Sequence, residues 1–193
     1  MQVKIDNISF QGKFTTPMQG RNGILKDVSL AFEQKTKGLK GSLELAKGDK
    51  VLLLKYNNKE VPFRILNYGD LTGANLKEKT PEAIDGIAES FARFFRILKA
   101  QSSYEKVVKR LNRSRTKAES ALNANKKSYE QARLKGGKCC DSLYQSMFEK
   151  NNAKLTQIEN ATQDATMRYT NFISNIAGDD TRVLQYIKTI TTV

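Results

Sequence analysis

The chain has 193 residues, 39% of them hydrophobic and 27% charged, with a formal net charge of +13. That is enough apolar material for one ordinary domain or two small ones, and too much for a disordered polyelectrolyte. No stretch approaches the about 18 apolar residues of a membrane span, and the start at Met1 lacks an apolar signal region. Cys139 and Cys140 are adjacent, a spacing that strains any bond between them. Synthesis in the reducing cytoplasm is therefore the expectation, with later incorporation into a particle or large assembly.

The expected fold class is α+β: a small N-terminal antiparallel β domain over 1–72, a linker over 73–80, a long antiparallel helical hairpin over 81–177, and a short C-terminal helix over 179–193. In the first part Val3, Ile5 and Ile8 lie among polar residues, followed by Phe10 and Phe14. Ile24–Phe32 alternates through Val28, Leu30 and Phe32 and reads as a strand. Ser42–Leu45 gives a further short strand, Val51–Leu54 a continuous apolar one, and Val61, Phe63 and Ile65 a last one after Asn57-Asn58. That asparagine pair is a tight-turn signal. Four or five strands at this spacing predict a meander or small barrel.

Thr80-Pro81-Glu82 predicts a helix start, with Thr80 as N-cap, Pro81 in the first turn, and Glu82 and Asp85 at the positive end of the dipole. Ile84, Ile87, Phe91, Phe94 and Leu98 repeat at heptad spacing, and Phe95 widens the apolar face. The pattern shifts by three residues near Gln101-Ser102-Ser103, a stammer in heptad terms. It then resumes as Tyr104, Val108, Leu111, Ala118, Leu122, Tyr129 and Ala132.

Gly136-Gly137 breaks the helix, so the turn is expected at 136–138. The returning helix repeats Tyr144, Phe148, Leu155, Ile158, Ala165, Tyr169, Phe172 and Ile176. Folding at the glycines places Tyr129 beside Tyr144, Ala118 beside Leu155, and Val108 beside Ala165. The expected hairpin interface is thus built on Val108, Leu111, Leu122, Tyr129, Tyr144, Phe148, Leu155 and Ile158, over an arm of roughly 50 Å. Arg115, Asn125, Asn151 and Thr162 fall on the same track, weakening the seam while fixing its register. Two readings stay open: an ordinary two-helix coiled coil, or an arm completed by other subunits. Beyond Gly178, Val183, Leu184, Ile187 and Ile190 mark one face of the C-terminal helix.

The excess charge is placed unevenly. Residues 1–80 carry a formal +6, residues 81–135 carry +7, and residues 136–193 carry zero. Lys106, Arg110, Arg113 and Lys117 recur at i, i+4, i+7 and i+11, lining one helical face as a candidate site for polyanions. The plain alternative is a solvated outer face.

Catalytic chemistry is hard to build here. There is no histidine, which removes the commonest general base and metal ligand. Two adjacent thiols cannot close a zinc site, and the acidic residues are scattered. Val3–Phe10 followed by Ile24–Phe32 resembles in spacing the opening strands of ABC-transporter nucleotide-binding domains. That family would imply a phosphate loop ending in Gly-Lys-Ser or Gly-Lys-Thr. The chain has Lys37-Gly38-Leu39-Lys40-Gly41-Ser42 instead, so the resemblance stops at two strands.

The expectation is a non-enzymatic structural or assembly protein of a larger complex, such as a phage particle or bacterial assembly, with no catalytic residues, metal or cofactor. Its expected partners are copies of itself or other protein subunits. The alternative is a nucleic-acid-binding protein that contacts phosphates non-specifically through the basic face.

Overall fold

A computed structural model describes residues 12–15, 23–47, 52–65, 80–135 and 141–178. Among these described residues four strands and three helices follow in chain order: β1 (Gly12–Thr15), α1 (Gly23–Lys35), β2 (Gly41–Lys47), β3 (Leu52–Tyr56), β4 (Lys59–Ile65), α2 (Pro81–Leu134) and α3 (Asp141–Ala177). The chain divides into two compact units, residues 1–99 with 173–193, and residues 100–172. The expected features at Val3–Phe10, the 73–79 part of the linker, Gly136-Gly137, Cys139-Cys140 and 179–193 lie outside the described residues.

In the first unit the strands form one sheet in the order β1-β2-β3-β4. β2, β3 and β4 are antiparallel neighbours, whereas β1 lies parallel to β2, with Phe14 opposite Leu43. The β3–β4 connection is the expected tight turn. Asn57 and Asn58 adopt φ of 48° and 64°, the left-handed pair that a two-residue hairpin with matching twist requires. Asparagine tolerates that conformation because its short amide side chain bonds locally. The Asn57 amide oxygen also accepts from the Ser42 backbone N–H at 2.8 Å, tying the turn to β2.

Two expectations for this region are corrected. Ile24–Phe32 is not a strand but most of α1, and the sheet is not wholly antiparallel, because that helix is the connection between the parallel strands β1 and β2. The alternation through Leu30 misled. Leu30 is 52% exposed, while Val28 and Phe32, four residues apart, are fully buried, with Ser29 and Thr36 buried beside them. Burial at i, i+1, i+4 and i+8 is one face of a helix. The likeness to nucleotide-binding domains loses its second strand by the same correction.

α1 ends where Gly38 takes a φ of +82°, and the Thr36 hydroxyl donates to the Phe32 carbonyl at 2.8 Å. Arg96 of α2 donates to the last helical carbonyl, that of Lys35, at 2.9 Å. The same Lys35 ammonium contacts Asp85 at 2.8 Å and Glu89 at 3.4 Å, and Glu89 also meets Arg93 and Arg96. A cation and a guanidinium donor at a helix C-terminus face its unsatisfied carbonyls and its negative dipole end.

α2 starts as its sequence predicts, with the Ala83 N–H donating to the Thr80 hydroxyl at 3.2 Å. Its first five turns supply most of the buried apolar residues described in this unit. Ile87, Phe91, Phe94, Phe95 and Ile97 are fully buried, in company with Phe32 and Leu43. Phe95 is the junction. Its ring meets Phe32 edge-on at 5.5 Å and Tyr56 at 5.7 Å. A Cβ on Gly41 would stand 3.0 Å from it, at a φ of +143° that few side chains adopt.

Replacing Phe95 by alanine is expected to lower stability by about 3–5 kcal/mol, as for other buried phenylalanines. Urea denaturation followed by tyrosine fluorescence reads the change. Leu30→Ala, on the exposed side of α1, is expected to stay within about 0.5 kcal/mol.

Candidate interaction surface on the paired helices

In the second unit α2 and α3 run antiparallel, hairpin-like, and side-chain pairs give their register. Tyr129 and Tyr144 meet with ring centroids 5.1 Å apart, and Phe148 meets Tyr129 edge-on at 6.0 Å. The Tyr129 hydroxyl donates to the Asp141 carboxylate at 3.1 Å. At Arg115 the guanidinium reaches Glu119 on its own helix at 2.9 Å and Glu159 across the pair at 3.8 Å. The Glu119 carboxylate, directly hydrogen-bonded, raises the Arg115 pKa further. Tyr104 stacks on Tyr169 at 4.5 Å, almost parallel, and its hydroxyl shares a 3.0 Å hydrogen bond with Thr166. The register set at Tyr129 thus still holds at Tyr104, 25 positions earlier on α2.

Each expected seam residue can now be placed. Ile158 is buried, and Val108, Leu111, Leu122, Tyr129, Tyr144, Phe148 and Leu155 are half-buried. Among the described residues of this unit only Ala118 and Ile158 are buried. The polar track residues explain part of this: Arg115 lies open, Asn125 and Asn151 are half-buried, and Thr162 spends its hydroxyl on the Ile158 carbonyl at 2.8 Å. Phe172 departs from expectation. It is 44% exposed, and its neighbour Ile173 takes the buried position at 2%. Ile173 belongs to the first compact unit, whereas Phe172 is the last residue of the second.

The basic stripe is intact in structure. Lys106, Arg110, Arg113 and Lys117 are all exposed, and at 100° per residue they project from α2 opposite its seam. Among the described residues no carboxylate lies within ion-pair distance of any of the four. Arg93, Arg96, Arg115 and Arg168, by contrast, each have an acidic partner.

Sequence reasoning missed a groove of about 560 Å³ between α2 and α3. Its floor is made by Ala100, Val107, Leu111, Ala161, Ala165 and Phe172, and Arg110 and Arg168 stand at its walls. The signal was the doublet Val107-Val108, since only Val108 belongs to the heptad track and Val107 widens the apolar face. Among the described residues no acidic, cysteine or histidine cluster could hold a metal ion, and no helix is long and apolar enough to cross a membrane.

Tyr169 of the stacked pair carries a titration signature. Burial, with lesser contributions from the charges of Glu105 and Tyr104, pushes the Tyr169 hydroxyl up to about 12. The fold therefore favours the protonated Tyr169 phenol. Its stabilising effect is complete below the ordinary tyrosine value of 10 and is lost as pH rises toward 12. Helicity followed by circular dichroism is expected to fall across that window, and Tyr169→Phe is expected to flatten the fall.

No protein-family model, curated protein or solved structure matches this chain.

Proposed function

We propose that this chain is a non-enzymatic structural or assembly component of a larger complex, a particle or comparable bacterial assembly. Its paired long helices act as a coiled-coil hairpin offered to neighbouring subunits. One observation carries the reading: the paired helices bury only Ala118 and Ile158 among the described residues of 100–172, while Met167 and Phe172 stay 60% and 44% exposed. Half-buried seams give little of the apolar burial that stabilises helices, because most helical stability in proteins comes from packing one face rather than from propensity. A third surface laid along the pair would supply what two helices alone cannot.

Hydrogen exchange on the isolated protein at low micromolar concentration tests this. Amides of 100–172 are expected to exchange at least about a hundredfold faster than those of 87–98, and to gain protection on self-association or on binding a partner. A hairpin as protected as the phenylalanine core in the dilute, monomeric protein would overturn the assembly reading.

The unpaired stripe favours a second reading, non-specific contact with nucleic acid. Four exposed cations in a row, none neutralised by a described carboxylate, match what phosphate contacts need. If that reading holds, duplex DNA binding measured by anisotropy weakens about a hundredfold between roughly 50 and 200 mM salt, as four phosphate contacts require. Reversing Lys106, Arg110, Arg113 and Lys117 to glutamate would abolish it while leaving the circular dichroism unchanged.

A further inference from the structure

The groove between α2 and α3 has dimensions that suit a third helix. Its floor runs from Ala100 to Leu111 on one side and from Ala161 to Phe172 on the other. Each span covers eleven residue steps, about 16 Å or three helical turns. Ala100, Ala161 and Ala165 allow a close backbone approach, while Val107, Leu111 and Phe172 offer apolar surface to side chains spaced i, i+4 and i+7.

We propose that this groove takes an acidic amphipathic helix supplied by a different protein. This rests on the assembly reading above and names its partner. The argument for the occupant is charge. On the α2 wall Arg110 is exposed and without a described carboxylate partner, and Lys106, outside the groove lining, lies one turn earlier on the same helix. On the α3 wall Arg168 is held by Asp164 at 2.9 Å, so that side is close to neutral. The free positive charge of the lining is therefore Arg110 on the α2 edge, where a carboxylate flanking an apolar stripe would meet it. A second copy is the poorer match, because residues 100–172 carry a formal +7 and pairing two such segments sets like charges together. Nucleic acid would satisfy the arginines but leave the apolar floor open to water.

The test uses the full chain and a fluorescent helical peptide of about 18 residues, with leucines at i, i+4, i+7 and i+11 and glutamates flanking them. A second peptide carries lysines in place of the glutamates. The glutamate peptide is expected to bind at least about tenfold more tightly than the lysine peptide. Ala161 is exposed, so Ala161→Trp fills the groove without touching the seam, and it is expected to weaken binding at least about tenfold. Arg110→Glu is expected to erase the preference between peptides, and Lys127→Glu, on the same helix but away from the groove, to leave it intact. Far-UV circular dichroism checks that each variant keeps its helices.

Four results would overturn the proposal: equal binding of both peptides, no binding of the glutamate peptide at about 200 μM, binding that Ala161→Trp leaves unchanged, or a dimer of the chain that Ala161→Trp dissociates. The third would mean that surface charge alone attracts the peptide, and the fourth that a second copy fills the groove. In each case fast exchange of 100–172 would still stand for the assembly reading, whereas slow exchange would remove it independently.

Discussion

The ring of Phe95 is the contact on which the first unit depends. It touches α1 through Phe32 and β3 through Tyr56, and it lies where only a glycine at position 41 leaves room for β2 to begin. Edge-to-face aromatic pairs add about 0.5–1.5 kcal/mol beyond the area they bury. Their larger effect is geometric, since three elements meeting one ring cannot shift independently. The ionic network of Lys35, Asp85, Glu89, Arg93 and Arg96 lies over the same helix pair. Asp85 above all, and Glu89 with it, raises the Lys35 pKa. Exposed pairs of this kind stabilise little singly, and their role here is to orient α1 by its C-terminal carbonyls.

The second unit is organised on a different principle. Its helices are matched by pairs of tyrosines near each end, Tyr129 with Tyr144 and Tyr104 with Tyr169, and between them stands an arginine that bridges two glutamates. These contacts specify alignment more than they supply stability. Large amphipathic rings and a forked guanidinium can meet their partners while remaining partly wet, so register survives without a dry core. A helix pair that is well aligned and thinly packed is suited to receiving something along its length.

Charge and apolar surface are sorted in the same unit. The four cations opposite the seam lack described carboxylate partners, whereas Arg115 beside the seam and Lys35, Arg93 and Arg96 in the first unit each meet a nearby carboxylate. Unpaired like charges repel one another and so oppose compaction. Their concentration on one helix face makes sense where an acidic surface offsets them. The groove adds the direction in which such a surface would approach, because Arg110 belongs both to the stripe and to the groove wall.

Much of this was legible in the chain itself. The Thr80 cap, the phenylalanine run to Leu98, the Asn57-Asn58 turn and the facing of Tyr129 and Tyr144 all follow from local rules of capping, periodicity and turn chemistry. The stripe was equally plain, because position along a helix fixes which side chains share a face. What only the tertiary structure decided were matters in which several elements compete for one side chain. Residues 24–32 satisfy either period, and the choice of helix was made by the burial of Val28 and Phe32 together while Leu30 stayed outside. The parallel pairing of β1 with β2 depends on that helix being there to cross between them. Phe172 and Ile173 are neighbours of similar character, yet Ile173 is buried as part of the first unit while Phe172 stays 44% exposed at the end of the second. The groove belongs to neither helix alone: it exists only where the faces of Ala100–Leu111 and Ala161–Phe172 come together, a relation no single stretch of sequence contains.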